Sequence, residues 1–254
     1  MDTRPRGRAA IPWVARIGCA LAVAGLAMEI ISGPGYRSGW WGLGVALVYL
    51  FALGGILAAL GCVVSIVGFI LGRALDAPGV AAGGAGAVLG VVPALLFYHQ
   101  FHLARSSPSI NDVSTDLRDP PAFVAAAGSA FWAGKRMAYP AGFADSVRRG
   151  YPDLGPLVLA ESPARTFALV RATAAGEPDW VITAADSETG RLEATATTRW
   201  FGFKDDVVIR IQAGGPDSAV VDMRSKSRVG KGDVGVNAAR IRQYFRALTL
   251  AAGR

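Results

Sequence analysis

A chain of 254 residues that is 52% hydrophobic and only 18% charged, with a mean hydropathy of +0.36, is more apolar than one water-soluble domain of this length requires. The net charge of +7 is spread out: six Arg against three acids up to Ala104 leave +3, and sixteen Arg with four Lys against sixteen acids from Arg105 onward leave +4. Neither half carries a dense basic block, which argues against a nucleic-acid partner, and Cys19 and Cys62 both lie in apolar runs, which leaves the second half without a disulfide or thiolate metal site.

The apolar excess is concentrated from Ile11 to Ala104, where only Arg16, Glu29, Arg37, Arg73 and Asp76 are charged. Three runs there have the length and composition of transmembrane helices, at 11–31, 40–71 and 79–98, so 1–104 is expected to be an α-helical transmembrane bundle. The first follows an Arg-rich start, as a signal peptide would, but is expected to remain as an uncleaved helix because the later runs anchor the chain in either case. Ile17-Gly18-Cys19 only faintly resembles a lipoprotein cleavage site, with Arg16 where apolar residues should stand. The second run exceeds one upright span and is expected as a tilted or extended helix rather than a hairpin, with Trp40 and Trp41 at the interface. Pro93 is expected to kink the third.

Small residues recur four apart at Gly55 and Ala59, Gly68 and Gly72, and Gly86 and Gly90, a spacing that lets helices approach closely within a bundle. Glu29, the one acid inside a run, is expected near the outer interface, paired with a group such as Arg37 or neutral. Arg4, Arg6, Arg8 and Arg16 place the N-terminus in the cytoplasm, and Arg73 places the second loop there. Three spans then put residues 105–254 on the far side of an inner membrane, as a soluble periplasmic domain.

From Ser106 to Pro121 the chain is rich in Ser, Asp and Pro and reads as an extended lead-in, followed by short pieces punctuated by Gly and Pro up to Pro156. A helix capped by Ser162 or Glu161 is expected over Pro163 to Ala175. The period then changes to two over Trp180 to Ala185, Arg191 to Trp200, Asp206 to Gln212 and Ser218 to Val229, which predicts about four strands joined by short turns and therefore antiparallel. A last helix follows, with Val234, Ala238, Ile241, Phe245 and Leu248 inward, Arg240, Arg242, Gln243 and Arg246 outward, and Asp233 as cap. The fold class predicted is a transmembrane bundle followed by an α+β domain whose helices pack on one face of the sheet.

The stretches EATATTRWFGFKDDVVIR (Glu193 to Arg210), RSKSRVGKGDVGVNAARI (Arg224 to Ile241) and NDVSTD (Asn111 to Asp116) resemble the bacterial and plastid domain of unknown function 1499. The resemblance spans most of Ser106 to Leu250. Members of that family often carry N-terminal membrane helices; the resemblance implies this architecture and no catalytic residue.

Arg224, Lys226 and Arg228, two apart, project from one strand face, and Arg210 and Arg199 occupy matching polar positions on neighbouring strands, a row that can hold a phosphate or carboxylate. The competing expectation is a solvated face neutralised by Glu193 and Asp222. Gly230, Gly232 and Gly235 satisfy G-x-G-x-x-G, but only about twenty residues follow, too few for the second strand and ribose-binding acid of a dinucleotide fold. What survives is a flexible turn that carries Lys231 into a helix N-terminus, an anion-binding arrangement. Trp200, Phe201 and Phe203 form an aromatic loop beside Lys204 that can enter a bilayer interface, close over an apolar ligand or simply close the core.

Asp112, Asp116 and Asp119 match no calcium loop, so no metal and no cofactor is expected. His99 and His102, the only histidines, lie at the end of the third run, which excludes a Ser-His-Asp or Cys-His site in the second half and disfavours an enzyme. The sequence therefore points to an envelope protein that binds an anionic amphiphile or lipid, with the bilayer and other envelope proteins as partners. The alternative is an interaction scaffold without a small-molecule ligand. A hydrolase using the three aspartates is the third reading.

Overall fold

The structure is a computed structural model that describes residues 10–253, so Arg4, Arg6 and Arg8, invoked above for topology, lie outside the described residues. The chain divides into two compact units, Met1–His102 and Leu103–Arg254.

In the first unit, α1 (Ile11–Arg37) is followed by a π-helical segment (Val45–Ala52) that continues into α2 (Leu53–Ala74), and α3 (Val80–Ser106) comes last. The helices Ile11–Arg37, Val45–Ala74 and Val80–Ser106 are long and apolar enough to cross a membrane. The second run is thus one extended helix that starts at Val45 and not at Trp40; Trp40 and Trp41 form the turn before it, and the Trp41 indole donates to Ser32 O at 3.0 Å.

Glycine sets the helix spacing. A Cβ at Gly61 would lie 2.7 Å from Gly18 O and 2.9 Å from Ala22 Cα on α1, and one at Gly83 would lie 2.8 Å from Phe69 N on α2. The four-residue spacings serve this same packing: Gly68 faces Ala15, Gly86 faces Cys19 and Ser65, and Gly90 faces Ala58 and Cys62. Pro93 is buried within α3.

The second unit is built on a six-stranded antiparallel sheet in the order β1-β6-β5-β4-β3, with β2 also paired to β6. The strands are β1 (Asp112–Ser114), β2 (Leu157–Leu159), β3 (Trp180–Asp186), β4 (Arg191–Thr197), β5 (Lys204–Gly215) and β6 (Ser218–Ser227). Six strands replace the four expected. β1 and β2 are three residues each, too short to show an alternating pattern, and lie in the stretches expected as an irregular lead-in and short pieces. A helix at α4 (Phe143–Gly150) also stands where only irregular pieces were expected.

α5 (Pro163–Gly176) and α6 (Val236–Ala252) share one face of the sheet. Val170 and Ala174 from α5 and Ala238, Ile241, Tyr244 and Leu248 from α6 bury themselves against Leu192, Ala194, Val207, Ile209, Val221 and Met223. Ser162 Oγ caps α5 by accepting from Arg165 N at 3.3 Å. Tyr244 stacks on Trp180 at 5.2 Å and donates to Val170 O at 2.7 Å, which ties α6 to both β3 and α5.

The opposite face is not solvated, contrary to the competing expectation. The segment after β1 folds back over it, placing Phe123, Ala126 and Trp132 on Val208. Glu193, expected to neutralise an open face, instead accepts three consecutive backbone N–H bonds from Val124, Ala125 and Ala126 at 2.7, 3.0 and 2.8 Å. No pattern announces this cover, because its 20-odd residues hold the sheet through backbone groups and single aromatics.

Gly61→Val is expected to lower the Tm of the full-length protein in detergent, followed by circular dichroism, because its side chain meets α1 backbone. Gly42→Val, where a Cβ meets nothing within 4 Å, should leave the Tm unchanged.

Candidate functional site

The alternation of β6 sends Met223 and Ser225 towards the helices and Arg224 and Lys226 under the cover. Arg224 is only 2% exposed. Its Nε and Nη2 bind Asp112 Oδ1 and Oδ2 at 2.8 Å each, Nη1 donates to Pro121 O at 3.2 Å, and Nη2 also donates to Met137 O at 2.8 Å. The rings of Phe123 and Tyr139 lie 4.9 and 5.2 Å from the guanidinium carbon. Burial, with the Asp112 charge nearby, pushes the Tyr139 hydroxyl up from its ordinary range.

The other cations of the row are also held by carboxylates. Lys226 Nζ is 2.9 Å from Asp112 Oδ2. Arg228 reaches Asp206 Oδ1 at 2.7 Å and Oδ2 at 2.9 Å, and Asp206 also accepts from Trp132 Nε1 at 2.7 Å and Thr195 Oγ1 at 3.0 Å. Arg210 binds Asp119, Asp116 and Asp222 at 2.7, 2.9 and 3.1 Å. Arg199, outside the strands, holds Asp179 at 2.9 Å on the surface. The row and the three aspartates considered for metal are therefore partners of one another: Asp112 serves Arg224 and Lys226, while Asp116 and Asp119 serve Arg210. Sequence reasoning met both sets and missed their pairing, which needs β1 beside β6 with Asp112 opposite Lys226.

The start of α6 carries its own acid, as expected of Asp233, which accepts from Gly235 N and Asn237 N at 2.9 Å each, so the helix N-terminus read as an anion site already holds a carboxylate. Burial raises the Asp233 carboxyl above its ordinary value against these N–H donors. Arg240, expected to face outward, turns towards the sheet: its guanidinium binds Asp205 at 2.5 Å and Ser225 Oγ at 2.9 Å.

One end of the sheet gathers what remains on the surface. The β4–β5 loop is closed by Thr198, whose N–H donates to Phe203 O at 2.8 Å and whose Oγ1 accepts from Phe203 N at 2.9 Å, with Gly202 at φ +68° making the turn. Trp200 on this loop is 48% exposed, Phe201 and Phe203 stack at 5.0 Å, and Lys204 is exposed. Arg228 N donates to Lys204 O at 3.0 Å, which brings the β6–α6 loop with exposed Lys231 alongside. The chain leaving α3 arrives at this same end, through Asn111 Nδ2 to Gly230 O at 2.7 Å and Asp233 N to Ile110 O at 3.0 Å. Lys135 sits 3.6 Å over Phe131, whose ring also lies under Arg228. The other end carries the β3–β4 and β5–β6 turns with the acids Asp186, Glu188 and Asp217. Among the described residues no group of three or more His, Cys, Asp or Glu is placed to hold a metal ion.

Asp112→Ala strands Arg224 and Lys226 in a buried site and is expected to cost about 3–5 kcal/mol, read as accelerated amide exchange along β6 in the full-length protein. At Asp116, burial works against ionisation, but the N–H groups of Asp119 and Arg118 and the Arg210 guanidinium outweigh it and hold the carboxyl below its ordinary value of 3.8. A depressed folded value stabilises the fold above 3.8, and that contribution is lost as pH falls through the folded value. Asp116→Asn should therefore flatten the acid limb of an unfolding-versus-pH curve below about pH 4.

The profile of a family described as "protein of unknown function (DUF1499)" matches residues 112–248. The chain belongs to this family. No curated protein and no solved structure matches it.

Proposed function

We propose that this member of the family is a multi-pass inner-membrane protein of the cell envelope, with a cytoplasmic N-terminus, whose periplasmic α+β unit binds an anionic lipid surface. The contact is the sheet end that carries Trp200, Phe201, Phe203, Lys204 and Lys231. The observation behind this reading is the coincidence at one end of the sheet of the aromatic loop, exposed lysines and the arriving chain. Only Ser107 to Asn111 separate the end of α3 from β1, and five residues reach at most about 17 Å. An amphiphilic loop on so short a tether stays within reach of a bilayer that α3 enters.

Charge supports the same orientation. Lysines mark the tethered end and acids the far end, so an anionic surface attracts the first and repels the second, with about 1 kcal/mol for each Lys or Arg close to the surface. Arg224, Lys226, Arg228 and Arg210 do not belong to this contact, because their charges are met by carboxylates inside the unit. Their role is to hold the cover and the loops in place.

A second reading, the envelope scaffold, rests on an open groove of about 610 Å³ along α6. It is lined by Leu154, Phe245 and Leu250, with Arg242 and Arg246 beside them, and Leu250 is 66% exposed. Amide hydrogen exchange on the full-length protein in liposomes tests the first reading. Segments 198–204 and 229–235 should exchange more slowly in phosphatidylglycerol than in phosphatidylcholine, and Lys204→Glu with Lys231→Glu should abolish the difference. Equal exchange in both lipids would overturn lipid contact and leave the groove on α6 as the surface to pursue.

A further inference from the structure

The three long apolar helices contain one acid, and packing alone leaves it unexplained. Glu29 is 5% exposed, and its Oε1 is buried without a hydrogen-bond partner. It is not at a helix end. Between Arg16 and Arg37 lie twenty residues, about 30 Å of helix and so about one hydrocarbon thickness, and Glu29 is eight residues, about 12 Å, from Arg37.

The surroundings are shaped to admit the carboxyl. Gly55 of α2 lies against it: a Cβ there would come within 2.7 Å of Glu29 Oε1 and would collide with Phe97 of α3, while Gly54 faces the backbone N of Glu29. None of these neighbours titrates. By sequence the nearest titratable groups on the second and third helices are Tyr49, which is 63% exposed, Cys62, whose thiol donates to Ala87 O at 3.4 Å, and Tyr98, which is 65% exposed. An unpartnered carboxylate in hydrocarbon costs several kcal/mol. A proton removes that cost without any other ligand, whereas a metal ion would need several oxygen donors.

Polar backbone groups mark the stretch of α1 between Glu29 and Arg37. Pro34 stands inside α1 and has no N–H, which deprives the carbonyl of Ile30, next to Glu29, of its helical donor. Ser32 Oγ donates to Glu29 O at 2.7 Å, and Trp41 Nε1 donates to Ser32 O at 3.0 Å. The helix thus has loosened backbone polarity between the acid and the nearer aqueous phase, on the stretch where a proton would travel.

We propose that Glu29 is a proton-binding site of the membrane unit, neutral when the α1–α2–α3 seam is closed and exchanging its proton with the aqueous phase at the Arg37 end. The ligand is a single proton. Its release places a charge beside Gly55 and Phe97 and opens the seam to water. The proposal is independent of the lipid contact in the other unit.

Infrared spectroscopy of the full-length protein in liposomes, with carboxyl-labelled glutamate, tests this. The expected result is a neutral-acid carbonyl band at neutral pH that is lost in Glu29→Gln and converts to a carboxylate band as the external pH rises. Gly55→Ala, which crowds Oε1, should shift the midpoint of that conversion. Should Glu29→Gln not fold, Glu29→Asp displaces the band in frequency and carries the same assignment. A Glu29 that is already carboxylate at neutral pH overturns the proposal, as does an acid band that no external pH converts.

Discussion

The α+β unit depends on the buried contact between Arg224 and Asp112. A guanidinium with 2% exposure tolerates no vacancy among its partners, since a charge in a poorly polarisable interior must be met by an opposite charge and by hydrogen bonds. Meeting it requires β1 to lie beside β6 in one register, with Asp112 opposite Lys226 and Ser114 opposite Arg224. A slip of one residue would turn Asp112 to the helical face. It also requires Pro121 and Met137 to bring their carbonyls over the sheet, and thus the whole cover to fold back.

The remaining polar groups of that face extend the same logic. Glu193 fixes the start of the cover through three backbone N–H groups, Asp206 gathers Arg228, Trp132 and Thr195, and Arg210 clasps Asp116, Asp119 and Asp222. A face that looks like a ligand site in one dimension is a fastening in three. The fastening also fixes the β4–β5 and β6–α6 loops at the end of the sheet where the chain arrives from α3. The membrane unit solves the opposite problem, with small residues bringing helices together and a single acid left among them.

Much of the architecture was legible. The three apolar runs announce helices because a single apolar segment can satisfy its own backbone groups in hydrocarbon only as a helix. The alternation in Arg191 to Trp200 and Asp206 to Gln212 announces strands, and Ser162 announces the start of α5 because its hydroxyl and Pro163 favour a helix N-terminus. The cover and the two three-residue strands were not legible. Leu157 to Leu159 is too brief for a period, and Phe123 and Trp132 are isolated aromatics whose burial depends on where the chain turns. Arg240 was placed outward because a helical wheel ignores a long side chain's ability to reach a buried acid such as Asp205.

Sequence alone determined which segments are apolar enough for a bilayer, which strands alternate, that Arg224 and Lys226 share a face, and which family the long matching stretches belong to. These are properties of near neighbours, written in composition and period. Only the tertiary structure decided that Asp112 meets Arg224 across more than a hundred residues, that Arg240 turns inward to Asp205, and that Glu29 Oε1 lies buried without a partner against Gly55. Each depends on the register or packing of distant segments, and the free energy of a charge is set by the groups that surround it after folding.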